Sequence, residues 1–378
     1  MAYHLFSWGA NSHGQLGQGI KSEECTTPQK IDLSGCGLHP RSIQKIAGGA
    51  GHTLILDIEG RVYSCGWNNK GQAGLPDKNG SFFFQEVGGD LRNKLVKDIA
   101  CGWDSSAALT EEGILYVWGS NNYGQLGKDP RILQWTNDPF PVLPDRKIKQ
   151  VSMGLRHTAL ISEDNIVLVT GSGSKGQLGL ASTPDDDPPC NIYSFMEVSE
   201  IKNAVDVVCG QHHTIVATAE KSLYVFGDNK HGQLGLDPKT LSRTATPIKV
   251  LTKQFHEKIK LHAGWSHTSI LAAGEVFSWG RDTYGQLGCP QEDRIPSWQM
   301  KQMENIPKIQ QMATGSEHTI ALTEGNAIVC WGWNEHGNCG IGHTKDVLSP
   351  VKLSLDCRCI PILVGTGAGH SLSVIKVL

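Results

Sequence analysis

The chain has 378 residues, with 34 Lys and Arg against 37 Asp and Glu and a net charge of −3. That balance holds no basic run of the kind a nucleic-acid arm or a membrane patch carries, and no apolar stretch approaches the roughly 20 residues of a membrane span. Glycine is the outlier at 44 residues; without a collagen period, and with short apolar runs between the glycines, it implies many tight turns in an all-β chain.

The chain opens on a short strand, "HLFS", that runs into the loop "WGANSHGQLG" (8–17). Its glycine after an aromatic position returns about every 52 residues, at Gly9, Gly66, Gly119, Gly171, Gly227, Gly280 and Gly332. A second glycine follows each one five residues on, from Gly14 to Gly337. Upstream of each later copy stands a second landmark, G-x-x-H. It supplies His52, His157, His213, His267, His318 and His370, while the copy at Gly102 carries Ser105 instead of histidine.

Between the landmarks, "HTLILDIEGRVYSCG" (52–66) and "HTSILAAGEVFSWG" (267–280) each read as two apolar runs around a turn, which is an antiparallel hairpin. About 52 residues per unit leaves room for four short strands, the content of a propeller blade. The last element, "GTGAGHSLSVIKV" (365–377), has its G-x-x-H strand and no downstream partner, whereas the first strand has no upstream one. Pairing the N-terminal strand (about 4–9) with the C-terminal blade (about 364–377) closes the ring and removes two sheet edges. The expected fold is therefore one all-β domain over residues 1–378, a seven-bladed β-propeller. Because "MAYHLFSWG" enters the repeat almost at once, no signal peptide is expected.

The glycine loop could be mistaken for a phosphate site, but no copy supplies the GxxxxGK[ST] end, and seven copies cannot all be active sites. A structural role fits: glycines for positive φ, leucine between blades, and glutamine satisfying loop backbone groups. Six equivalent histidines on six blades lie too far apart to ligate one ion. Each is expected at a blade interface, its ring nitrogens bonded to neighbouring backbone, with no metal and no cofactor. His212, beside His213, is surplus to that scheme and is expected to be exposed. The eleven cysteines contain no CxxC pair, and Cys357 and Cys359 are too close for a structural zinc pair, so reduced, mostly buried thiols are expected.

The two residues inside G-x-x-H vary from blade to blade, and equivalent sites must surround one face of the ring. They include Trp103, Asp104, Leu155, Arg156, Gln211, His212, Trp265 and Glu317. These form a candidate partner-binding face; the alternative is that they fill the central channel. Three linkers also stand out. One holds Phe82, Phe83 and Phe84, of which two are expected in the core; 182–190 is acidic and proline-rich; 291–308 contains Trp298 and is long enough to cap one end of the ring.

These two landmarks, repeated seven times over residues 4 to about 377, resemble the regulator of chromosome condensation family of propellers. Segments 5–19, 101–113 and 331–340 are most similar to a branch of exchange factors that regulate secretion. The resemblance implies a guanine nucleotide exchange factor or GTPase-binding protein in vesicle trafficking, cytoplasmic and also nuclear, monomeric, with no bond-making chemistry. Asp104 and Glu317 are the acids available for such a role. A non-catalytic scaffold holding a trafficking protein is the alternative. The family member that exchanges nucleotide on Ran keeps acids at two positions that here are Trp103 and Arg156. Its wedge insertion after the second blade's "WG" and its basic N-terminal tail have no counterpart here, so neither exchange on Ran nor binding to nucleic acid is expected.

Overall fold

The computed structural model describes residues 2–181, 188–251, 255, 257–289, 296–355 and 358–378. The described strands, numbered β1 to β28 in chain order, form seven antiparallel four-stranded sheets. Six are continuous in sequence, covering 43–86, 96–142, 148–197, 204–251, 259–302 and 309–352 (blades 1 to 6). The seventh has the order β2-β1-β28-β27, with β1 (Ala2–Asn11), β2 (Ser22–Lys30), β27 (Cys359–Thr366) and β28 (His370–Val377). Leu5 faces Val374 and Gly9 faces His370 across the closing pair, as expected from the unpaired landmarks at the two ends. The N-terminal segment contributes two strands to this blade, since β2 follows the glycine loop.

The innermost strand of each blade lines one central channel. These are β3 (Ile43–Gly48), β7 (Val96–Cys101), β11 (Ile148–Met153), β15 (Ala204–Cys209), β19 (Ile259–Ala263), β23 (Ile309–Thr314) and β27, around a cavity of about 490 Å³. The next strand outward is covered on both faces by neighbouring blades. Its run is therefore apolar without alternation, and "HTLILD" (52–57) is buried along its whole length. The core consists of the layers between blades: Leu126 and Val117 of blade 2 pack with Leu160 and Leu168 of blade 3.

Both landmarks have identifiable causes. The ring of His52 folds back over Gly49, where a Cβ would lie 2.2 Å from Cε1, so only glycine fits. Gly9 sits at φ +101° with the Gly369 carbonyl 2.7 Å from where its Cβ would be, which again requires glycine. In the loop, the Gln15 Oε1 accepts from the His13 backbone N–H at 2.9 Å, and five further copies repeat this from Gln72 to Gln286. Leu16, Leu126, Leu178, Leu234 and Leu287 are buried, as expected.

The histidines differ from expectation in one respect: their partner is a hydroxyl, not backbone. His370 Nε2 donates to Thr53 Oγ1 of blade 1 at 2.7 Å, and Thr53 in turn donates to the Gln15 carbonyl of blade 7 at 2.7 Å. His52 with Ser106, His157 with Thr214, His213 with Thr268 and His318 with Ser371 repeat this pairing. The residue after the landmark histidine is always Ser or Thr, so the signal was in the sequence. Burial pushes these five histidines down to about 3, which keeps them neutral.

Among the linkers, Phe84 is buried, Phe82 is half-buried with Lys21 over its ring, and Phe83 is exposed. Residues 182–187 of the acidic linker and 290–295 before Trp298 lie outside the described residues. Trp298 lies over Gly232 of blade 4 rather than over the channel. No helix of the described residues is long and apolar enough to cross a membrane.

Candidate partner-binding face

The G-x-x-H dipeptides sit at one mouth of the channel, where each inner strand turns into the next strand of its blade. Their backbone is wired from blade to blade. Ala50 N–H donates to the Trp103 carbonyl, Gln211 to Trp265, Trp265 to Ser316, Ser316 to Ala368 and Ala368 to Gly49, at 2.7 to 3.2 Å. Among the described residues these peptide hydrogen bonds join five of the seven blade junctions, and they use backbone groups rather than side chains. That is why these positions vary without disturbing the fold.

Trp103 and Trp265 come from blades 2 and 5 and meet at the mouth, with ring centroids 5.2 Å apart and planes at 43°. With Ala50, Leu155 and Ala368 they line a cavity of about 100 Å³ at this end of the channel. Channel filling and surface display coincide here, because each indole lines the cavity and is only half-buried. Such a pair offers a rigid apolar anchor at the centre of the face.

Around it, Leu155 and Gln211 are half-buried and Arg156 is exposed, its guanidinium 4.3 Å from the Tyr123 ring centroid. Asp104 is half-buried; burial raises its carboxyl while a hydrogen bond from Ser120 works the other way. His212 is half-buried rather than exposed. Burial lowers it, Asp228 opposes that, and Arg156 and Lys175 add to the lowering.

Glu317 does not belong to the exposed set. It is 4% exposed and turned into the interface between blades 5 and 6. Its Oε2 accepts from Gln286 Nε2 at 2.6 Å and lies 3.5 Å from His267 Nδ1, while Oε1 is 3.6 Å from Arg281. There the histidine–hydroxyl pair is missing: both ring nitrogens of His267 and the Thr319 hydroxyl have no hydrogen-bond partner among the described residues. A buried carboxylate needs partners; Glu317 has Gln286 on Oε2 and Arg281 within ion-pair reach of Oε1, at the interface where the histidine–hydroxyl pair is absent.

A second ring of variable positions was missed in the sequence. The carbonyl of each second dipeptide residue accepts from the residue just after "WG" or its equivalent, as in Trp67 to Gly51, Ser120 to Asp104, Arg281 to Ser266 and Trp333 to Glu317. This brings Trp67, Arg281 and Trp333 onto the face. The loop residues immediately before "GQLG" or its equivalent join them. His13 stacks on Trp67 at 4.5 Å, Tyr284 lies under Arg281 at 5.0 Å, and His336 meets Trp333 at 5.3 Å. They could have been found by the reasoning that picked out the dipeptides, since both positions vary between constant neighbours. The candidate face is therefore an aromatic crown about a tryptophan pair, with no metal-ligating group of three or more side chains among the described residues.

The sequence model of the RCC1-like domain family matches residues 4–373. The chain is 34% identical to the secretion-regulating guanine nucleotide exchange factor of Bos taurus, over 98% of this chain and 82% of that protein. It is 33% identical to the protein of that name from Mus musculus, over 98% and 83%. In structure it is similar to Prp20p of Saccharomyces cerevisiae, with a TM-score of 0.85 at 24% identity, covering all of this chain and 92% of that one. That likeness extends to the fold.

Proposed function

The chain belongs to the RCC1-like domain family, and from that premise we propose that it binds a small GTPase and promotes guanine nucleotide exchange on it in secretion and vesicle trafficking. The observation that carries the reading is the whole-length similarity to relatives named as secretion-regulating exchange factors. The crown around Trp103 and Trp265 supports it as the docking surface. An exchange factor makes no bonds. It binds the nucleotide-free GTPase more tightly than the loaded one, and the difference in affinity is what expels nucleotide.

The tryptophan pair supplies the central apolar contact and Arg156, Trp67 and Trp333 the surround. The test is capture of purified small GTPases on the immobilised propeller, each nucleotide-free and GDP-loaded. Preferential retention of one nucleotide-free GTPase is the expected result. Equal retention of both forms across the panel would remove the exchange reading.

One observation favours a second reading, a scaffold that holds its partner without exchange. The two acids available for displacing phosphate or Mg²⁺ ligands are not free to reach out. Glu317 is buried, and Asp104 is half-buried beside the Ser120 hydroxyl. Retention of a partner in both nucleotide states, lost in Trp103→Ala, is the outcome that reading predicts.

A further inference from the structure

The charges on the face are not spread evenly. Blades 1 to 4 carry Lys70 and Lys175, half-buried, and Arg156 and Lys230, exposed. Among the described residues, none of the four has a carboxylate within ion-pair distance. Some cations elsewhere are paired, such as Lys45 with Asp98, Arg61 with Asp57 and Glu59, Arg131 with Asp129, and Lys308 with Glu275; what sets these four apart is that they gather on one face of the ring.

The two acids of the same arc are occupied inside the fold. Asp228 Oδ2 accepts from Gln233 Nε2 at 2.9 Å, and Asp104 accepts from Ser120. The cations on blades 1 to 4 are close enough to act on their neighbours, Lys70 and Arg156 on Asp104, and Arg156 and Lys175 on His212. On blades 5 and 6 the sign is different: Arg281 is neutralised by Glu317, and Glu335 is exposed, accepting from the Trp333 indole. A chain of net charge −3 thus presents an unpaired basic arc on half of one face.

We propose that this arc, Lys70–Arg156–Lys175–Lys230, receives an acidic patch on the partner protein and so selects which partner docks over the tryptophan pair. The inference rests on the reading of this face as the docking surface and adds the chemistry of what it accepts. Complementary charge steers the encounter and penalises partners with basic patches at that place. A protein patch fits better than a nucleic-acid backbone. The arc's four cations lie on blades 1, 3 and 4, two of them on blade 3, and do not form the closely spaced row that tracks a phosphate backbone.

The test uses the intact propeller and a fluorescein-labelled oligoglutamate peptide, followed by anisotropy at low salt. The expected result is binding that weakens with added salt and falls by roughly tenfold or more in Arg156→Glu/Lys175→Glu. Lys94→Glu/Lys352→Glu, exposed elsewhere, keeps wild-type binding, and oligolysine does not bind. No binding, or binding indifferent to the arc variant, overturns the proposal. So does tighter binding of a single-stranded oligonucleotide through the same residues. A GTPase panel run beside it separates the two claims. If no GTPase responds, the exchange reading fails while the peptide result still decides the arc. If a GTPase is bound equally well by the arc variant, the arc proposal fails and the GTPase reading stands.

Discussion

The interfaces between blades 4 and 5 and between blades 5 and 6 share the same landmarks and are held differently. In the first, His213 Nε2 meets Thr268 Oγ1 at 3.2 Å, and Thr268 and the Trp279 indole both donate to the Gln233 carbonyl, at 2.8 and 3.1 Å. In the second, the Trp331 indole still donates to the Gln286 carbonyl at 3.1 Å. The neutral His267–Thr319 pair, however, gives way to a charged cluster of Glu317, Arg281 and Gln286. Two positions separate the cases: the second dipeptide residue is Ser266 in blade 5 and Glu317 in blade 6, and the residue after the blade's glycine is Asp228 in blade 4 and Arg281 in blade 5. A position that varies in a repeat is therefore not always a surface position. A side chain long and charged enough can turn inward and replace the repeat's own wiring.

The largest expected effect is the one the two interfaces should share. Trp279→Ala and Trp331→Ala each remove a fully buried indole and its hydrogen bond, at a cost of about 3–5 kcal/mol. Denaturant unfolding of the two variants measures this, and a much smaller loss at Trp331 would mean that the charged cluster has taken over its packing role.

Next is the acid sensitivity of the neutral interfaces. His213 is held at about 3 in the fold against about 6.5 unfolded. Between those values the unfolded chain binds more protons, so the contribution is fully present above pH 6.5 and is lost as pH falls. The loss is about 2 kcal/mol at pH 5 for each such histidine. His213→Gln should flatten that part of the stability–pH curve, and an unchanged curve would contradict the neutral, desolvated histidine.

Smaller still, a double-mutant cycle on His213 and Thr268 should give a coupling of about 1 kcal/mol, against a value near zero for His267 and Thr319. Equal couplings would erase the contrast. Smallest of all, Arg156→Glu and Lys230→Glu should leave stability within about 0.5 kcal/mol, because both side chains are exposed.

Most of this architecture was legible in the sequence because repetition multiplies weak signals. Seven copies of "WG…GQLG" and of G-x-x-H fixed the blade number, and their offset at the two ends placed β1 against β28. The dipeptides were legible as a face for the same reason. What did not follow from the repeat was where each individual side chain goes. Glu317 is invisible as a buried residue until Arg281 and Gln286 are seen beside it, and these come from a different blade. The pairing of Trp103 with Trp265 spans the channel between blades 2 and 5, a contact that no local pattern encodes. His212 illustrates the smaller error: as a second histidine it read as surplus, yet its ring is half covered by blades 3 and 4.

Constant residues build the ring, and the varied face is proposed to receive the GTPase. Release of fluorescent GDP from a panel of small GTPases tests it most directly, with wild type compared with Trp103→Ala/Arg156→Glu at matched folded concentration. Faster release from at least one GTPase by the wild type, lost in a variant that melts at nearly the wild-type temperature, is the predicted result. No acceleration with any GTPase, or acceleration that survives in the face variant, would contradict it.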